Sequence, residues 1–263
     1  MNRVEFRQRL AEKPLLLDGA MGTLLMGAHQ DFHHVNTLNV EKPAIVAEIH
    51  RQYIEAGADI IETNTFDANR YKLGEHGLAE HVVGINQSGV QVARRVIEAS
   101  FKPVLLAGSV GPLGINLEPL GRVSREAAGV AFEEQMVALV AAGVDLLVLE
   151  TMSNLGELRV AIQAARSVAP EMPVVAMMAF TRDDRTLFGE TPALVAERLA
   201  ELDVDVWGVN CSGGPAQVLR LVTLMREACA EEALIAAVPN AGWPEQTANG
   251  RVMYPAQPTY FAE

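Results

Sequence analysis

Cysteine is nearly absent from this chain: only Cys211 and Cys229 occur in 263 residues, too few for a disulfide framework and with no reason in their positions to pair. A reducing, cytoplasmic setting is the matching expectation. Aromatic residues make up 5% of the sequence against 49% hydrophobic overall, so the core has to be built from Ala, Val and Leu, as where helices cover buried strands. Cations are also scarce, with 21 Lys and Arg against 33 Asp and Glu and a net charge of -12. Without a surplus of positive charge to neutralise phosphates, the composition argues against a nucleic-acid partner. No stretch reaches the roughly 18 uncharged apolar residues of a membrane span. The first residues, MNRVEFRQRLAEK, carry charge and no apolar signal region, so the chain is expected to be unanchored. No linker or composition shift divides it, and one domain over residues 1–263 is expected. Nucleotide signatures are missing as well. DGAMGTLL is a loose glycine-rich turn without the spacing G-x-G-x-x-G, and GxxxxGK[ST] occurs nowhere, which argues against an open Rossmann-like sheet.

What is present is an alternation of apolar runs with longer amphipathic segments. The runs are PLLLDG (14–19), ADIIETN (58–64), PVLLAGS (103–109), VDLLVLE (144–150), PVVAMMAF (173–180), VDVWGVN (204–210) and ALIAAVPN (233–240). Their near-continuous apolar character suits strands covered on both faces. Between them the pattern places helices near 43–56, 76–100, 124–142, 154–168, 191–201 and 215–229. Start signals are Pro43, Ser124, Thr191 before Pro192, and Pro215 after a double glycine. In EAGAD and AAGVD a glycine stops a helix immediately before the next strand. Polar residues recur where the runs end: Asp18, Glu62 with Asn64, Ser109, Glu150, Asn210 with Cys211, and Asn240. A (β/α)8 TIM barrel gathers such ends at one mouth. After Asn240 the chain reads as a Gly/Pro-rich loop and the start of a helix, so the expected fold is α/β, a (β/α)8 barrel lacking its eighth strand in this chain. The edges of strands one and seven are then unpaired and prone to pairing with a second copy.

Cys211 stands where an apolar run breaks into SGGP, a position that admits a nucleophile or a metal ligand as well as a small buried hydrophobe. All six histidines lie between His29 and His81, none at a strand end after residue 100, which weakens a cysteine-hydrolase reading. Asp18 and Glu150 each close a strong apolar run. Each either caps a following helical turn or faces a cationic ligand. Asn64 and Phe66 in ETNTF suit a lid over a small polar ligand, or a loop-stabilising amide. GSVGPLG (108–114) is a glycine-rich loop that lets backbone approach a ligand, and TRDDRTLFGE (181–190) reads as a solvated connection.

Taken in order, DGAMGTLL, LNVEKPAIVAEIHRQYIEAGADIIETNTF, GSVGP, AAGVDLLVLET, GVNCSGGP and PNAGWP resemble the homocysteine S-methyltransferase family, most closely its cobalamin-dependent methionine synthase branch. The resemblance covers essentially the whole chain. It implies a barrel in which zinc, held by three cysteines, activates a homocysteine thiolate that accepts a methyl group from methylcobalamin to give methionine. Cys211 matches the metal ligand of the GxNC segment, and the adjacent pair of cysteines is expected beyond residue 263. By the same resemblance Asp18 and Glu150 hold the homocysteine amino group. Gly19 and Ser109 contact the amino acid, and Asn64, Phe66 and Asn240 line the mouth. The implied partners are folate- and cobalamin-binding domains of the same parent protein or of another chain. On this reading the chain is a methyltransferase that is inactive alone. Two alternatives stay open: a donor such as betaine or S-methylmethionine, and a non-catalytic amino-acid-binding or scaffold barrel without a full zinc site.

Overall fold

A computed structural model describes residues 1–28, 34–229, 233–246 and 252–262. Its main sheet holds β1 (Ile60–Glu62), β2 (Leu105–Val110), β3 (Leu146–Met152), β4 (Val174–Met178), β5 (Val206–Cys211) and β6 (Ile235–Pro239), in that order. A separate antiparallel pair joins β7 (Glu245–Gln246) to β8 (Val252–Met253). The fold is α/β, with the strand–helix alternation and parallel pairing of a (β/α)8 barrel, and six barrel strands among the described residues. The chain divides into two compact units, Met1–Leu149 with Glu157–Val174, and Glu150–Gly156 with Val175–Glu263.

In the first unit β1 pairs in parallel with β2, Ile61 opposite Leu106, and β2 with β3, Ser109 opposite Val148. Every residue of β2 is buried, as the unbroken apolar run requires. The run at 14–19 departs from the expected strand: it makes one parallel bridge, Leu17 to Ile60. Pro14 has no N–H to give, Leu16 is exposed, and pairing is limited to Asp59 N–H and Ile60 N–H donating to Leu16 O, and Asp18 N–H donating to Ile60 O. Helix Pro43–Ala56 starts on its proline and stops at Gly57, whose φ of 107° is open only to a residue without a Cβ. Helix Val82–Ser100 begins later than the pattern indicated, after a 3-10 turn at Ala79–His81. Helix Arg125–Ala142 is capped by Ser124, which accepts Ala127 N–H, and stops at Gly143. An additional helix, Arg3–Glu12, carries a reciprocal Asn2–Glu5 capping box.

In the second unit β4 pairs with β5 and β5 with β6, all parallel. A Cβ at Gly208 would sit 1.9 Å from Ala236 O, so this β5 position admits only glycine. The run at 233–240 is half-exposed along β6 rather than covered on both faces. Helices Pro192–Ala200 and Pro215–Glu227 each open on a proline, the first capped by Thr191. The charged loop 181–190 is tied down rather than simply solvated. Arg220 grips Asp184 through Nε and Nη2 at 2.6 and 2.8 Å, while Gln217 Nε2 donates to Thr181 O and Asp184 Oδ1.

Candidate functional site

In the second unit the end of β3 and the end of β5 bring Glu150, Thr151, Asn210 and Cys211 into one hydrogen-bonded group. Asn210 is its centre. Its Oδ1 accepts the Thr151 N–H at 2.8 Å, and its Nδ2 donates to Thr151 Oγ1 at 2.8 Å and Glu150 Oε2 at 3.2 Å. Cys211 Sγ lies 3.6 Å from Asn210 Nδ2 and 3.5 Å from Thr151 Oγ1. Glu150, Thr151 and Cys211 are half-buried, so the carboxylate and the thiol reach the surface of a group anchored on a buried amide. The backbone here is unusual: Thr151, Cys211 and Ser212 have φ of 57°, 52° and 53°. For residues with a Cβ the left-handed region costs about 1–3 kcal/mol each, and it persists only where surrounding bonds over-determine it. Ser212 supplies some of those bonds, accepting Phe180 N–H at 2.8 Å and donating to Asn210 O at 3.1 Å. Asn240 follows β6, with its N–H on Gly213 O and its side chain donating to Ser212 O at 3.4 Å. It therefore supports the turn that carries Cys211.

The first unit places Asp18 and Gly19 beyond the bridge, Asn64 and Phe66 beyond β1, and Ser109 within β2. Asp18 is buried and its Oδ2 accepts Glu62 N–H at 3.1 Å, so the carboxylate braces β1. Tyr53 covers Gly19 and donates to Ala20 O at 3.0 Å; burial, with Asp18 nearby, pushes its phenol up to about 12. Asn64 is locked to two other asparagines. Its Nδ2 donates to Val35 O and Asn39 Oδ1, both at 3.0 Å, and its backbone O accepts from Asn36 at 3.0 Å and Asn39 at 2.7 Å. This buried lock favours a positioning role for Asn64 over direct ligand contact. Phe66 lies against Gly111, where a Cβ would meet the ring at 2.6 Å. Ser109 is buried in a hydroxyl chain: its N–H donates to Thr63 Oγ1, Thr63 and Thr65 hydroxyls bond each other, and Thr65 Oγ1 donates to Ser109 O.

Sequence reasoning singled out Glu150 and Cys211 but missed Thr151 and the Asn36–Asn39 pair. The signal for Thr151 was its place directly after a strand-ending carboxylate. Cys229 Sγ donates to Met225 O at 3.2 Å at the end of its helix, and burial raises its thiol pKa. Among the described residues no group of three His, Cys, Asp or Glu is placed to hold a metal ion. Cys211 thus offers a single sulfur ligand, where structural and catalytic zinc take three or four protein ligands.

Parallel strands alternating with helices, with polar side chains at strand ends within each unit, define an α/β barrel-type domain. The comparisons narrow that class. Residues 15–263 match the family model for homocysteine S-methyltransferase, and the chain belongs to that family. It is 32% identical to methionine synthase of Mycobacterium leprae and to that of Mycobacterium tuberculosis, in each case over 97% of this chain and 22% of the relative. The chain thus spans about a fifth of the length of these curated relatives. Among solved structures it is similar to the homocysteine methyltransferase MmuM from Escherichia coli in its metallated form, with a TM-score of 0.77 and 25% identity, over 90% of this chain and 87% of that one.

Proposed function

We propose that this chain is the homocysteine-binding domain of a methionine synthase-type methyltransferase. The observation that carries the reading is the Glu150–Thr151–Asn210–Cys211 group, which sets a carboxylate and a thiol side by side at strand ends in a chain of this family. Glu150 receives the ammonium of homocysteine, a charge-assisted contact worth more than a neutral hydrogen bond. Cys211 marks the end of the site at which the substrate sulfur lies, and contributes one thiolate to zinc. A complete zinc site needs further thiolates besides this one. In the same unit Asn240 supports the turn that carries Cys211. The methyl donor is methylcobalamin on a separate domain, recharged from a folate-binding domain.

Titration calorimetry with L-homocysteine, with and without zinc, tests the substrate. Binding by the wild-type chain, weakened about tenfold by Glu150→Ala, is the expected result; unchanged affinity in that variant removes Glu150 from the site. Methionine formation from methylcobalamin, betaine or S-methylmethionine, followed by mass spectrometry in the presence of the remaining domains, tests the donor. Turnover with betaine or S-methylmethionine alone overturns the cobalamin assignment. Homocysteine binding with no methyl transfer from any of the three supports a binding barrel instead.

A further inference from the structure

We propose that Asn210 is a positioning residue for substrate recognition, which acts by aiming the Glu150 carboxylate at the ammonium group of an α-amino acid. The inference rests on the homocysteine-binding reading above and names the device that gives that site its selectivity. Asn210 is 2% exposed, so its amide is committed to protein partners and not to ligand. Those partners are functional atoms on the other strand: Oδ1 takes the Thr151 N–H, and Nδ2 holds both the Thr151 hydroxyl and Glu150 Oε2. Thr151 adopts φ 57° directly after Glu150, and Cys211 adopts φ 52° directly after Asn210. Two conformationally costly residues therefore flank the amide that joins them, an arrangement that fixes the direction in which Glu150 leaves β3. A half-buried carboxylate with free rotamers would lose side-chain entropy on gripping an ammonium, and one already held by an N–H donor loses less. The Asn210 amide and the Thr151 hydroxyl both meet the carboxylate at the same oxygen, Oε2, at 3.2 and 3.5 Å, so the anchor acts at one side of the group.

The test is a double-mutant cycle read by calorimetry on the full chain, with two probes. L-homocysteine carries the ammonium; 4-mercaptobutanoic acid has the same thiol and carboxylate without it. Asn210→Ala and Glu150→Ala are each expected to weaken homocysteine about tenfold. The double variant should lose little more than either alone, because both substitutions remove one unit. Affinity for 4-mercaptobutanoic acid should stay within about twofold of wild type in all three proteins. A general loosening of the loop would weaken both probes alike, which overturns the proposal, as does a multiplicative loss near a hundredfold in the double variant. Because Asn210 is buried, Asn210→Asp provides an isosteric control. It keeps the acceptor for Thr151 N–H and loses the donor to Glu150, so wild-type homocysteine affinity in that variant also overturns the proposal. Failure of the wild-type chain to prefer homocysteine over 4-mercaptobutanoic acid sinks the underlying substrate reading, and the proposal with it.

Discussion

At the scale of single residues, asparagine amides do the joining. Asn210 ties two strand ends in one unit, and Asn64 ties β1 to the segment around Asn36 and Asn39 in the other. An amide both donates and accepts, so one side chain meets a backbone carbonyl and another amide at once, and its loss strands several buried groups. Asn64→Ala is expected to destabilise the first unit by about 3 kcal/mol, measured as a lowered urea midpoint with unchanged slope. A change below about 0.5 kcal/mol would show that water replaces the lock. Glu150 and Cys211 were legible in the sequence because each is a polar residue that abruptly ends an apolar run. The Asn64 lock was not, because its partners Asn36 and Asn39 lie 28 and 25 residues earlier, and only the fold gives an amide a distant partner.

Element by element, three of the long helices open on proline and two stop on glycine, and two kinds of glycine fail differently. Gly143 ends helix Arg125–Ala142 at φ 100°, with nothing within 4 Å of an added Cβ. Gly208 sits within β5 with no left-handed φ, but its neighbour is backbone oxygen. Gly143→Ala is therefore expected to cost about 1 kcal/mol through conformation alone. Gly208→Ala should cost about 3 kcal/mol or more, because Ala236 O has to move and the β5–β6 register with it. Thermal melts of both variants check the order, and a Gly208→Ala protein as stable as Gly143→Ala would contradict it. The punctuation that marks Gly143 was readable in AAGVD, as was that of Gly57 in EAGAD, and the six long helices were legible too. Three features escaped. Pro14 and the exposed Leu16 reduce the first run to a bridge. Helix Arg3–Glu12 buries only Phe6, so it shows no apolar periodicity, although its Asn2–Glu5 capping box stands in the sequence. Loop 181–190 carries charges that look solvated until Arg220, on a helix more than thirty residues away, closes on Asp184.

For the molecule as a whole, the acidic balance of -12 would suggest that carboxylates govern stability against pH, yet a strongly perturbed buried group in the first unit is a histidine. His50, on helix Pro43–Ala56, is fully buried, and neither ring nitrogen has a hydrogen-bond partner among the described residues. Burial drives its pKa down from 6.5 to about 4. The unfolded chain therefore takes up a proton near pH 6.5 that the folded chain refuses until about pH 4. The stabilising contribution is complete above pH 6.5 and is lost as pH falls through the window between the two values, by roughly 3 kcal/mol in all. His34, also lowered by burial, acts in the same direction. Glu157 and Asp67, raised by burial, act oppositely, because acid protonates them more readily in the folded state. Urea denaturation of the first unit from pH 7.5 to 4.5 should show stability falling across this range in wild type. His50→Leu, which removes the titrating group and two unpartnered nitrogens at similar volume, should flatten most of that fall and leave stability at pH 7.5 equal or higher. A His50→Leu profile parallel to wild type would assign the acid sensitivity to other groups.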